Sequence, residues 1–149
     1  MSTYMMGIDP GKSGGIALIP LDDRDDLPIA TSMSRLTERE ITDWICSENV
    51  TRCYLESVHS MPGQGVKSMF TFGQSYGFIR GVLIARHIPF ETVTPLKWQT
   101  ALRCRSKGDK NITKARAQEL FPMIDKITHA TADSLLIAEY GIRKEAGIL

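Results

Sequence analysis

Residues 4–19 read YMMGIDPGKSGGIALI, which is two apolar runs joined by a glycine-rich segment. This pattern predicts a hairpin of two short buried strands, at residues 4–9 and 15–20. A hairpin does not itself require Asp9, the carboxylate that ends the first run, and a carboxylate beside buried strands loses hydration. A metal ion or a nest of backbone amides would compensate that loss. Asp9 is therefore the first candidate functional residue.

The same stretch nearly matches a nucleotide phosphate-binding loop. That loop has four residues between its two glycines, whereas only three separate Gly7 from Gly11 here. An aspartate inside the loop would also repel phosphate. The sequence therefore argues against a nucleotide cofactor.

The composition is that of an ordinary globular protein. The chain has 149 residues, of which 42% are hydrophobic and 23% charged, and this predicts a single domain over residues 1–149. No signal peptide is evident, and the three cysteines form no metal-type pair, so we expect free thiols in a bacterial or phage-infected cytoplasm. Polar and charged side chains interrupt the longest apolar stretch, residues 70–88, so we expect no membrane association.

The rest of the chain alternates between strand and helix signals. It predicts strands at 28–33, 52–56 and 90–93, and helices at 37–47, 67–87, 95–102, 112–121 and 129–141, the last ending near Gly141. This order predicts an α/β fold with one mixed five-stranded sheet flanked by helices.

Glycine recurs at every fourth position of the long helix, at Gly73, Gly77 and Gly81. Glycine inside a helix costs about 1 kcal/mol relative to alanine, so these positions need a reason. We expect another backbone to pack closely there, either that of the sheet or that of a second subunit.

Three acidic residues from separate parts of the chain could share one site. Asp9 ends the first strand, Glu56 ends the fourth, and Asp133 lies among apolar neighbours in the last helix. Carboxylates brought together repel unless protons or divalent cations neutralise them, and oxygen ligands suit Mg²⁺ or Mn²⁺. Two such ions could activate a water and stabilise the leaving oxygen of a phosphodiester. The pattern equally allows three unrelated acids.

His129 lies four residues before Asp133 and hence on the same helix face. It could bind a metal or relay a proton, or it could simply be a polar residue at the start of the helix.

Basic residues concentrate late in the chain. Residues 97–116 contain seven basic residues and one acidic residue. The basic residues are Lys97, Arg103, Arg105, Lys107, Lys110, Lys114 and Arg116. Such a stretch is usually a solvated surface, but beside a carboxylate metal site it could follow a DNA backbone. Lys12 and Lys67 are further candidate DNA contacts. Met61, in the loop after Glu56, could wedge between bases or fold back on the core.

Four blocks resemble the RuvC-type Holliday-junction resolvases of the RNase H-like nuclease superfamily. They are Gly7–Gly11 with residues 13–15, Leu55-Glu56, Gly73–Gly77, and Ala132–Ala138, and together they span nearly the whole chain. The resemblance implies a homodimeric, metal-dependent endonuclease that nicks opposed strands of a four-way DNA junction. The compact length and the block Thr94–Trp98 look more like the phage-encoded branch.

The resemblance also assigns roles to the candidate residues. Asp9, Glu56 and Asp133 would be catalytic metal ligands for Mg²⁺ or Mn²⁺, with two ions in each active site. The family places a fourth ligand three residues before the last aspartate, where this chain has Ala130, so His129 or Asp125 would take that role. The glycine-bearing helix would lie near the dimer interface, and the Met61 loop near the junction centre.

Alternative functions stay open at this point. The chain could be a related nuclease that acts on RNA or on other branched DNA, or a junction-binding protein whose catalytic site has lapsed. A sugar- or acetate-kinase-like ATPase is disfavoured because those folds need two such domains.

Overall fold

The computed structural model describes residues 2–22, 25–57 and 63–149. The strands in this part of the chain are β1 (Tyr4–Asp9), β2 (Gly15–Pro20), β3 (Ile29–Ser32), β4 (Val50–Glu56) and β5 (Phe90–Val93). The helices are α1 (Glu38–Cys46), α2 (Val66–Ala85), α3 (Pro95–Ala101), α4 (Lys110–Leu120) and α5 (His129–Glu145). Met61, the predicted wedge residue, lies outside the described residues.

The strands form one mixed sheet in the order β3-β2-β1-β4-β5. Neighbours are antiparallel among β1, β2 and β3, whereas β4 is parallel to β1 and β5 is parallel to β4. The prediction of a mixed five-stranded sheet flanked by helices is therefore confirmed. β1 lies at the centre of this sheet, and its residues are buried from Tyr4 to Ile8.

Side chains of β1 alternate between two hydrophobic cores, as the two-residue period of a strand requires. Met5 packs on the α5 side with residues such as Trp98 and Leu135. Met6 and Ile8 pack on the opposite side with residues of α1 and α2 such as Ile45 and Leu83. The sheet is thus covered by helices on both faces.

Helix α5 crosses the β1–β2 hairpin in direct backbone contact. A β-carbon added at Gly7 would lie 2.3 Å from the carbonyl oxygen of Ser134, and one added at Gly15 would lie 2.5 Å from that of Ala130. No side chain larger than hydrogen fits at either position without moving the backbone. The two glycines therefore set the distance between the helix and the sheet.

Helix α5 continues to Glu145, so the predicted helix end near Gly141 is wrong. A β-carbon at residue 141 would come within 2.6 Å of Cδ1 of the Tyr54 ring. Gly141 thus makes room for an aromatic side chain of the sheet and does not end the helix.

The glycines of α2 behave differently. A β-carbon at Gly73, Gly77 or Gly81 would meet no heavy atom of the described residues within 4 Å. The sheet is therefore not the backbone that packs against them, and that alternative is wrong. On the same helix, the residues Val66 and Phe70 are 85% and 68% exposed. In the part of the chain that the structure covers, no helix is both long and apolar enough to cross a bilayer.

We expect Gly7→Ala to destabilise the fold. Its methyl group would overlap the backbone of α5, and overpacking of this kind costs about 1–3 kcal/mol or more. Urea denaturation should therefore give a lower free energy of unfolding. Gly65→Ala, at the N-cap of α2, is the control, because its methyl would meet no heavy atom of the described residues within 4 Å and its φ of −64° suits alanine; it should cost less stability than Gly7→Ala. A Gly7→Ala protein as stable as the wild type would contradict the contact.

Candidate active site

Asp9 and Glu56 lie side by side at the carboxyl ends of two parallel strands. β1 and β4 are in register with Ile8 opposite Leu55, so the next residue of each strand falls at the same edge of the sheet. Both side chains are partly buried, and their carboxyl groups share a hydrogen bond.

Asp133 approaches this pair from α5. It precedes Ser134, whose carbonyl oxygen lies against Gly7, so the helix–hairpin contact also fixes the height of Asp133 above the sheet. Asp133 Oδ1 is buried and has no hydrogen-bond partner among the described residues. Its charge acts on both Asp9 and Glu56.

Burial raises the pKa of all three groups, and repulsion between carboxylates adds to the shifts of Asp9 and Glu56. Burial, together with the charges of Glu56 and Asp133, raises the pKa of Asp9 well above its usual range. Burial raises the pKa of Glu56 to about 7, with a further contribution from Asp133 and an opposing hydrogen bond from Trp98. Burial also raises the pKa of Asp133, against the opposing effects of the nearby Thr113 hydroxyl and of the charge of Lys110. The cluster therefore favours a bound proton or another positive charge near neutral pH.

Lys110 supplies part of that positive charge. It lowers the pKa of Asp9, Glu56 and Asp133 alike. The sequence predicts it in a loop on a DNA-binding track, whereas the structure places it in the first turn of α4, after the N-cap Asp109. A cation at a helix N-terminus opposes the helix dipole, so the nearby carboxylates are what favour a lysine at this position.

Two neighbours of the site escape the sequence analysis. The indole Nε1–H of Trp98 donates to Glu56 Oε2 at 2.8 Å. The buried hydroxyl of Thr113 donates to the Lys110 carbonyl oxygen at 3.2 Å and lies close enough to Asp133 to lower its pKa. No spacing in the sequence relates α3 or α4 to these acids. The only available signal is general: a buried indole N–H requires an acceptor.

His129 is the first residue of α5 and is exposed. Its charge lowers the pKa of Asp133, so the two side chains are near enough to interact, as their spacing suggests. Asp125, the other candidate for a fourth ligand, is exposed in the segment before α5.

The three carboxyl groups do not have the arrangement of a metal site in this structure. Across residues 2–22, 25–57 and 63–149, no three histidine, cysteine, aspartate or glutamate side chains are arranged as a metal site. Asp9 and Glu56 interact directly with each other, whereas Asp133 acts on them electrostatically and raises the pKa of both. The donors are nonetheless suited to a hard cation, because they are carboxylate oxygens and one of them, Asp133 Oδ1, is buried without a partner.

The predicted DNA contacts fall into two groups. One group surrounds α3, α4 and the loop between them, and its exposed or half-exposed members are Lys97, Arg103, Arg105, Lys107, Lys110 and Lys114. Lys12 and Lys67 form the other, beside a cavity of about 290 Å³ that Ser68, Thr71 and Ser75 also line. Arg116 differs from the rest of the basic stretch, because its guanidinium binds the Leu102 carbonyl and Glu119, each at 2.9 Å.

The raised pKa of Glu56 predicts that the stability of the metal-free protein depends on pH. The folded chain keeps a proton on Glu56 up to about pH 7, whereas an unfolded glutamate loses it near about pH 4.3. Between these values the folded state binds more protons at Glu56, so the contribution of Glu56 to the free energy of unfolding falls as pH rises and levels off above about pH 7.

Glu56→Gln lacks this proton uptake. In thermal melts with EDTA, the Tm of Glu56→Gln minus that of the wild type should therefore grow as pH rises toward about 7 and then stay constant. Glu48→Gln removes an exposed glutamate far from the cluster and serves as the control. A pH-independent difference for Glu56→Gln would contradict the assignment.

Comparison with known proteins places the fold. No protein-family model matches the chain, and no curated protein matches it in sequence. A structure of Thermus thermophilus RuvC in complex with a Holliday junction substrate matches with a TM-score of 0.69 and 12% identity over 97% of both chains. A second structure of T. thermophilus RuvC gives 0.67 and 13%, again over 97% of both chains.

A viral protein matches as well. Fowlpox virus resolvase in complex with its substrate Holliday junction DNA has a TM-score of 0.52 and 14% identity, over 98% of this chain and 99% of that one. At such identities the similarity concerns the fold. The resemblance drawn from the four sequence blocks is confirmed at that level: the chain has the RuvC-type, RNase H-like fold.

Proposed function

We propose that the protein is a metal-dependent endodeoxyribonuclease that resolves four-way DNA junctions by paired nicks. The observation that carries this proposal is the cluster of three interacting carboxyl groups, Asp9, Glu56 and Asp133, at one edge of the sheet. Perturbed acids that converge on one place are typical of catalytic sites. The fold shared with two resolvases in complex with Holliday junctions supports the choice of substrate.

Asp9, Glu56 and Asp133 are the residues that would hold Mg²⁺ or Mn²⁺, two ions in each site, with His129 as a further ligand. The unpartnered Asp133 Oδ1 and the raised pKa of all three acids support this assignment, because each reflects negative charge that lacks compensation. Metal ions held there would supply Lewis acidity toward the phosphodiester and would lower the pKa of water near these acids.

The remaining residues of the site hold the acids and attract the substrate. Trp98 donates a hydrogen bond to Glu56, and the nearby Thr113 hydroxyl lowers the pKa of Asp133. Lys110 offsets the negative charge of the cluster and would also attract a DNA phosphate to it. The basic residues around α3 and α4 would extend this attraction along the DNA backbone, with Lys12 and Lys67 as a second contact region. An intercalating role of Met61 stays a prediction.

The decisive experiment is cleavage of a synthetic four-way junction with mapping of the nicks. We expect wild-type protein to place paired nicks in opposed strands with Mg²⁺, and none with EDTA. Asp9→Asn should lose cleavage by at least about a hundredfold, yet bind the junction equally or more tightly, because it removes a negative charge near the phosphate. Asp43→Asn, which alters an exposed aspartate of α1, should cleave like the wild type.

Other results would redirect the proposal. Preferential cleavage of flaps or RNA–DNA hybrids over junctions would favour a related nuclease with another substrate. Junction binding without cleavage in either Mg²⁺ or Mn²⁺ would favour a binding protein with a lapsed site.

We also propose that the protein works as a homodimer, because two opposed nicks require two active sites. The outer surface of α2 supports this proposal. Its glycines at positions 73, 77 and 81 face open space, and next to them Val66 and Phe70 expose most of their side chains. An apolar surface that admits close backbone approach is suited to a second copy of the same helix.

Phe70→Glu should weaken this association, because a carboxylate would be buried at the interface. Sedimentation velocity should then show a monomer where the wild type is a dimer, and nicking should become unpaired. Ile148→Glu introduces the same charge at another exposed apolar residue, 68% exposed at the end of the chain, and should stay dimeric. A Phe70→Glu protein that is dimeric at the wild-type concentration would place the interface elsewhere.

A further inference from the structure

We propose that Trp98 is a positioning residue that holds Glu56 in one orientation through its indole N–H. This inference rests on the proposed nuclease function for its catalytic consequence. The contact itself belongs to the chain without metal or DNA, so it can be tested separately.

The sheet register brings Trp98 to Glu56. Parallel pairing of β4 with β5 sets Glu56 opposite Val93, and the ladder continues with a hydrogen bond from Ser57 N–H to the Val93 carbonyl at 2.7 Å. Helix α3 starts directly afterwards, with Thr94 as N-cap and Pro95 in its first turn. The next turn therefore lies beside the carboxyl end of β4, where the indole of Trp98 reaches Glu56.

The core holds the indole in place. Trp98 has no exposed surface and packs in the core cluster that contains Val93, Leu102 and Leu135. A ring in a densely packed interior cannot follow a moving partner. If Glu56 turned away, the indole N–H would become a buried donor without an acceptor, which is unfavourable. Each orientation of Glu56 other than the observed one therefore costs free energy.

An indole is chemically suited to this role. It has a single N–H donor, no lone-pair acceptor and no titration in the physiological range, so it donates one hydrogen bond to Glu56 Oε2 and cannot itself ligate a metal ion. Lys110, in contrast, acts on the acids only through its charge. Loss of a group that orients a metal ligand typically weakens metal affinity or activity by about 10- to 100-fold.

The first test is Trp98→Phe, which keeps an aromatic ring but removes the N–H. We expect its Mg²⁺ affinity, measured by calorimetry, to fall by about 10-fold or more. Its kcat for junction cleavage should fall while KM stays near the wild-type value. Trp44→Phe alters the other tryptophan, on α1, and should leave both quantities unchanged. A folded Trp98→Phe protein whose Mg²⁺ affinity and kcat stay within about twofold of wild type would overturn the proposal.

A second measurement leaves Trp98 intact, in case a change in the core prevents folding. In the Trp44→Phe protein without metal, the remaining indole N–H gives a single proton resonance by NMR. Glu56→Ala removes its acceptor, so the resonance should move upfield and exchange with solvent faster. Asp43→Asn should leave it unchanged. A resonance that does not respond to Glu56→Ala would overturn the proposal.

The two proposals fail in different ways. A wild-type protein that cleaves no nucleic acid, but whose Mg²⁺ affinity and indole resonance depend on the Trp98–Glu56 contact, would contradict the nuclease function and support the positioning role. Junction cleavage that is unchanged by Trp98→Phe would support the nuclease function and contradict the positioning role of Trp98.

Discussion

The site depends on the backbone contact between α5 and the β1–β2 hairpin. The Ser134 carbonyl oxygen occupies the space where a side chain at residue 7 would begin, and the Ala130 carbonyl does the same at Gly15. Because neither contact can lengthen without opening the core, Asp133 stays close to the edge of the sheet where Asp9 and Glu56 end. A larger residue at Gly7 would change the fold and the acidic cluster together.

The packing of α5 on the sheet brings three carboxyl groups together, and this arrangement is electrostatically unfavourable. Three partly buried carboxyl groups repel one another, and the raised pKa of each records the unfavourable free energy of the ionised cluster. Lys110, Trp98 and Thr113 offset this cost only in part. Local choices that oppose stability are expected where a protein binds or reacts. The same imbalance underlies the proposed affinity for divalent cations, because a cation would remove the repulsion without moving the backbone.

The glycines of α2 and α5 show which structural features can be predicted from the sequence and which cannot. The α2 glycines predict close packing of another backbone, yet their spacing cannot tell packing on the sheet from a face turned away from it. Gly141 reads as a helix end because glycine commonly ends helices, but here it accommodates the ring of Tyr54. In both cases the sequence identifies a position where a side chain is absent, and only the neighbouring element explains why.

The sequence by itself determined the order of strands and helices, the hairpin, and the presence of acids at the ends of β1 and β4, because these follow from local periodicity and turn chemistry. Only the tertiary structure decided which residues support the acids. Trp98 meets Glu56 across 42 positions of the chain, and Lys110 reaches all three acids from a separate helix. Such contacts depend on strand order and on the distance at which helices pack on the sheet. Neither of these can be predicted from the periodicity of the sequence.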